Sequence, residues 1–117
     1  MSDQNDCVFC RIISGEADAD IVYQDDEITA FWDTRPAAPI HILIVPNRHI
    51  ASVNEVSPEE ADLFGKLVLR AKQIAEEMGV AERGYRIFIN TGPDGRQTVY
   101  HLHLHLMAGA RLPIFHV

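Results

Sequence analysis

From His101 to Met107 the chain reads His-Leu-His-Leu-His-Leu-Met, an unbroken alternation of imidazole and leucine. Side chains of a β-strand point alternately to opposite faces, so the run predicts a strand over residues 100–107 with Leu102, Leu104 and Leu106 turned to a core. His101, His103 and His105 then share the other face, spaced about 6.5–7 Å apart along the strand. A strand this apolar on one side requires neighbours in a sheet and a layer packed over it.

Both are visible in the sequence. Runs rich in β-branched and aromatic residues predict further strands over 21–24, 28–32, 40–45 and 85–90, and Asp25-Asp26 reads as the turn of a hairpin between the first two. Ser57-Pro58-Glu59-Glu60 has the parts of a helix start: a hydroxyl at the N-cap, proline at the first helical position, and a glutamate placed for the reciprocal contact. Ala61, Phe64, Leu67, Val68, Ala71, Ile74, Ala75 and Met78 follow at three- and four-residue steps as one apolar stripe, and Gly79 stands where a left-handed cap is easiest. A short N-terminal helix is expected around Phe9 to Ile13, ended near Gly15. The class predicted is α+β: an antiparallel sheet of about five strands, one long helix and a short N-terminal one, with the helices on one face.

With 117 residues and 13.1 kDa, the chain is read as a single domain over 1–117, of which 1–6 are expected to be a disordered N-terminus and 110–117 a tail. A net charge of -7 argues against a broad grip on polynucleotide phosphates, which needs a basic surface, and leaves small phosphorylated ligands open. The polar start of the chain is unlike a signal peptide, and no apolar run approaches the ~20 residues that cross a bilayer. The expected setting is therefore cytoplasmic, with no membrane and no nucleic acid as partner.

Histidine has an unperturbed pKa of about 6.5, so near neutrality it offers both a nucleophilic nitrogen and a protonated donor. Two imidazoles on one strand face are spaced to address different atoms of one phosphate, one attacking while the other donates a hydrogen bond. Three strand histidines are also good zinc geometry, and a solvated structural face is the plainest alternative. Cys7 and Cys10 form a C-x-x-C pair, which in a reducing compartment points to a metal or a redox couple. Two thiolates supply half of a tetrahedral zinc site, so histidines would have to complete it.

The histidine run, preceded by Gln97-Thr98-Val99-Tyr100, is similar to the signature of the histidine-triad (HIT) superfamily, His-φ-His-φ-His-φ-φ with φ hydrophobic. The chain closely resembles the Hint branch from Cys7 to Gly109, with further matching stretches at Asp33-Thr34-Arg35-Pro36-Ala37-Ala38-Pro39-Ile40-His41, Ile42-Leu43-Ile44-Val45-Pro46, Gly84-Tyr85-Arg86 and Asn90-Thr91-Gly92. The resemblance implies a nucleotide-binding hydrolase or transferase that acts at the α-phosphorus of purine nucleoside phosphoramidates or related adenylated compounds, through a covalent nucleotidyl-histidine. It assigns the nucleophile to His103, with its other ring nitrogen oriented by a backbone carbonyl, and phosphate binding to His105. His41 is placed beside the phosphate, with Asn90 and Thr98 as polar contacts to it or to the leaving group and Gln97 in the same loop. Asp33 would accept from the ribose hydroxyls, and Val8, Phe9, Ile12, Phe31 and Trp32 would form an apolar slot for the base.

The same resemblance implies a structural zinc held by Cys7, Cys10, His49 and His101, with no organic cofactor, and a homodimer whose sheets join into one of ten strands. Arg96 stands where the family commonly has glycine, and the short tail from Ala110 has no tryptophan of the kind several relatives place near the site. Two rival readings accompany the enzyme: a non-catalytic nucleotide-binding or scaffold module, and a metal-dependent hydrolase that uses all three triad histidines as ligands.

Overall fold

The computed structural model describes residues 6–114. The expected disorder of residues 1–5, and the last three residues of the expected tail, lie outside the described residues. The elements are α1 (Val8–Ser14), β1 (Ile21–Gln24), β2 (Ile28–Trp32), β3 (Ile40–Pro46), α2 (Ala61–Glu77), β4 (Arg86–Phe88) and β5 (Leu104–Ala108). The strands form one sheet in the order β1-β2-β3-β5-β4, and every neighbouring pair is antiparallel.

The β1–β2 hairpin closes as its aspartates suggest: Asp25 Oδ1 accepts the backbone N–H groups of Glu27 and Ile28, both at 2.8 Å. At the start of α2 the backbone N–H of Ser57 donates to Glu60 Oε1 at 2.8 Å, and a 3-10 turn at Pro58–Glu60 leads into the helix. Gly79, at φ 73°, follows its end. Leu67, Ala71, Ile74 and Ala75 are the buried stripe of α2; Val68, expected among them, lies on its rim and is 40% exposed.

The apolar face of β5 seats α2. Leu102, Leu104 and Leu106 pack with Ile42 and Ile44 of β3, Ala30 of β2 and the α2 stripe, each of these leucines no more than 2% exposed. Each such leucine contributes roughly 1.5–3 kcal/mol through removal from water. The other face is not left open. Leu43 and Val45 of β3 and Phe31 of β2 point away from α2 and pack under Phe9 and Ile12 of α1. The two helices therefore cover opposite faces of the sheet, contrary to the expectation that they share one.

Two strands are shorter than their sequences suggest, for one reason. The β3–β5 register puts Ile44 opposite Leu104, so Leu102 would face Pro46, which has no N–H to give a ladder. Leu102 N–H donates instead to Ile50 O at 2.7 Å, and the sheet begins at Leu104. His101 and His103 thus precede the strand, although their side chains keep the alternation. Strand β4 pairs Phe88 with His105 and stops there, because beyond that point β5 supplies no partner. Among the described residues no helix is long and apolar enough to cross a membrane.

Candidate active site and metal centre

The triad histidines lie on the face of the sheet that α1 covers, and each ring is fixed in one tautomer by a neighbour. His103 Nδ1 lies 2.7 Å from the carbonyl oxygen of His101. A carbonyl only accepts, so the proton sits on Nδ1 and the Nε2 lone pair is left for a ligand. His101 Nε2 donates to the Pro46 carbonyl at 2.8 Å, which likewise leaves its Nδ1 unprotonated. The third ring is reached through His41. The Ala37 backbone N–H donates to His41 Nδ1 at 3.0 Å, so the proton of His41 is on Nε2, which faces His105 Nδ1 at 3.0 Å and Asp33 Oδ2 at 3.5 Å. His105 accepts at Nδ1 and therefore carries its proton on Nε2. That Nε2–H is buried and has no hydrogen-bond partner among the described residues. A buried donor without a partner costs about 1–3 kcal/mol, a cost that an incoming anion would remove.

The rings of His103 and His105 stand 4.9 Å apart, Phe9 meets the His103 ring edge-on at 5.2 Å, and Phe88 stacks on His105 at 4.4 Å. These apolar neighbours set the charge state. Burial holds His105 down to about 4, helped by His103 and His41 and opposed by Asp33. Burial also lowers His103, against the bond to the His101 carbonyl, and lowers His41, against the attraction of Asp33. Near neutrality the site therefore presents a neutral nucleophilic nitrogen beside a neutral N–H donor.

The remaining sequence-predicted residues are distributed around this pair. Asp33 bonds the backbone N–H of Arg35 through Oδ1 at 2.9 Å and turns Oδ2 toward His41. Phe9, Ile12 and Phe31 are buried together under α1, with Phe9 and Phe31 in edge contact at 5.3 Å, while Val8 is 38% exposed. Trp32, grouped with them from sequence, packs against the α2-side core because it alternates with Phe31. Asn90 is half-buried just past β4, and Thr98 is exposed in the loop before His101. Gln97 is buried in that loop: its amide nitrogen donates to Ala51 O and Val99 O, and its Oε1 accepts from Gly92 N–H. Ala37 and Phe88 are site residues that sequence reasoning missed. The first acts through its main chain, and the second is recognised only once the β4–β5 register sets it opposite His105.

Next to this site, Cys7, Cys10, His49 and His101 bring one ligand atom each to within 4.8 Å of one another. Cys7 Sγ is 3.3 Å from His101 Nδ1, and Cys10 Sγ is 3.3 Å from His49 Nδ1 and 3.5 Å from His101 Nδ1. The edge of a zinc tetrahedron between sulfur and nitrogen is about 3.5 Å, so the four donors fit one such ion. The Pro46 carbonyl fixes the tautomer that frees His101 Nδ1, the usual support for a metal-binding imidazole. Burial and the neighbouring Cys7 push the Cys10 thiol up to about 12, so a cation is what would hold it as thiolate at neutral pH. The triad itself does not converge on a metal. His101 turns to the cysteines while His103 bonds a carbonyl, which argues against the three-histidine metal hydrolase. Asp33, His41 and His105 also lie close together, but the Ala37 N–H keeps a proton on the His41 nitrogen that such an ion would need.

Comparison with known proteins agrees with this arrangement. The family model described as HIT domain matches residues 14–112. The chain is 50% identical over 105 residues to a purine nucleoside phosphoramidase of Escherichia coli (strain K12), covering 90% of this chain and 88% of the relative. It superposes with a TM-score of 0.90 on the HIT family hydrolase of Legionella pneumophila Philadelphia 1, at 44% identity over 92% of this chain and 96% of that one. A Zn-bound histidine triad family protein from Mycobacterium smegmatis superposes at 0.77, with 34% identity over 90% of this chain and 76% of its own. With its triad and the match over most of its length, this chain belongs to the HIT domain family.

Proposed function

We propose that this chain, read throughout as one HIT domain, hydrolyses purine nucleoside phosphoramidates or related adenylated compounds through a nucleotidyl-His103 intermediate. The observation that carries the reading is the free Nε2 of His103 beside the unpartnered Nε2–H of His105. His103 Nε2 gives its lone pair to the α-phosphorus, the P–N bond breaks, and the amine leaves with that electron pair and a proton from solvent. Water then attacks phosphorus, the P–Nε2 bond breaks, and His103 returns to its neutral form. In sum, a phosphoramidate monoanion and water give a nucleoside monophosphate dianion and an ammonium ion. The covalent step divides one difficult displacement into two, and the His105 N–H meets the charge that grows on the phosphoryl oxygens. His41, held by Ala37, keeps His105 in the donating tautomer.

In the same reading Asp33 accepts from the ribose hydroxyls, Phe9, Ile12 and Phe31 border the base, and Asn90 and Thr98 contact the phosphate or the leaving group. Gln97 shapes their loop, since both its amide hydrogens are committed to carbonyls. Zinc on Cys7, Cys10, His49 and His101 would be structural: four protein donors leave no open position, so it would tie α1 to the triad segment. A thiolate site of this kind suits a reducing compartment and supports a cytoplasmic location. The open edges of β1 and β4 support a homodimer in which two sheets continue into one.

Wild-type protein incubated with adenosine phosphoramidate is expected to release AMP and to show an adenylyl adduct by intact mass. His103→Ala is expected to lose both. Nucleotide binding without AMP release would return the chain to the non-catalytic module.

A further inference from the structure

Resting on the phosphoramidase reading, we infer that the natural leaving group carries an anionic substituent and that Arg96 is the residue that selects it. Arg96 is the one non-glycine residue with a positive φ, 65°, among the described residues. A left-handed backbone strains an arginine where it would not strain glycine, and strain kept beside a site is a mark of use. The strained turn is also tightly held. Arg96 N–H donates to Pro93 O at 3.0 Å, and a Cβ on the preceding Gly95 would lie 2.4 Å from Thr91 O.

A second observation says what the side chain faces. A cavity of about 720 Å³ opens on the triad face, with Arg86, Phe88, Asn90, Arg96, Met107 and Leu112 on its walls. Phe88 is stacked on His105, and Met107 follows His105 on the same face of β5, so the cavity starts where a phosphate held by His105 would end. Phe9, which adjoins His103, is not among the residues on the cavity walls. In-line displacement by His103 sends the leaving group away from the nucleophile, and that group is assigned to this cavity. Two guanidinium groups and a single carboxylate, Asp94, lie on its walls, in a chain whose net charge is -7. The Arg96 side chain is exposed and makes no hydrogen bond or ion pair among the described residues, while Arg86 is anchored to the Pro113 carbonyl at 2.7 Å. A planar guanidinium free to pair matches a carboxylate through two parallel hydrogen bonds. The favoured substrate is a nucleoside phosphoramidate whose amine bears a carboxylate.

The test compares adenosine 5′-phosphoramidates of β-alanine and of β-alanine amide, with unsubstituted adenosine phosphoramidate alongside, in wild type, Arg96→Gly and Arg96→Gln. Glycine relieves the backbone, and glutamine keeps a long polar side chain without the charge. Wild type is expected to show a kcat/KM about fivefold higher for the carboxylate than for the amide, the size an exposed charged pair supplies, with both variants bringing that ratio toward one. A wild-type ratio at or below one, or a ratio equally high in both variants, overturns the inference. No AMP from any of the three compounds would overturn the phosphoramidase reading as well, whereas turnover without discrimination overturns this inference and leaves that reading standing.

Discussion

Acid should weaken this fold through a histidine that serves the site. His105 is held at about 4 in the folded chain, against an ordinary 6.5, mainly because its ring is buried beneath Phe88 and next to two other imidazoles. Its folded value is depressed, so between those two limits the unfolded chain binds the proton and the folded chain does not. Stability from the neutral ring is fully present above about pH 6.5, declines as pH falls, and is spent by about pH 4. The gap corresponds to roughly 3 kcal/mol. His105→Gln removes the titration and retains a hydrogen-bond donor. Urea unfolding of both proteins at a series of pH values isolates the effect, because contributions from the metal ligands occur in both curves and cancel in the difference. At about 1–3 kcal/mol per molar urea, the wild-type midpoint should drop by about 1–3 M more than that of the variant between pH 7.5 and pH 4. Parallel midpoints across that range would refute the claim that burial keeps His105 neutral.

Further expectations concern the metal, the core and the strained turn. Cys10→Ser, or a strong chelator, should remove bound zinc and lower the calorimetric unfolding midpoint by about 10 °C or more; a metal-free wild type, or an unmoved midpoint, contradicts the four-ligand site. Leu104→Ala empties a position that is 2% exposed between the sheet and α2, and should cost about 2–5 kcal/mol by urea unfolding. A loss under 1 kcal/mol would mean that Leu104 does not carry the packing ascribed to it. Arg96→Gly should raise stability by about 1 kcal/mol in the same assay, and a decrease would show that the side chain stabilises the loop more than the left-handed backbone strains it.

The alternation at His101–Leu106 was enough to tell which rings face the site and which leucines face the core, because it depends only on the two-residue period of extended chain. Where the strand begins was not legible there. That is decided by Pro46, far back in the sequence, whose missing N–H ends the ladder and whose carbonyl takes the His101 ring. The place of α1 and the apolar stripe of α2 were readable, but the face of the sheet that each helix covers depends on the parity of β2 and β3: Phe31 and Leu43 go one way, Ala30 and Ile42 the other. The same parity takes Trp32 away from the proposed base slot. The metal quartet is assembled from a helix N-terminus, the loop after β3 and the triad segment, and resemblance named it where spacing offered only the C-x-x-C pair. His41 was placed beside the phosphate, yet its control by the Ala37 main chain could be seen only in three dimensions.

The His101 oxygen that holds the His103 ring belongs to the peptide backbone, so every amino acid at position 101 brings it along. Substitution there can spoil the neighbouring sulfur–nitrogen cluster without deleting the atom that aims the nucleophile. Aim is thereby inherited from the course of the main chain, and anything that shifts that course, such as a new partner for Leu102 N–H, would detune the reaction while leaving every imidazole in place.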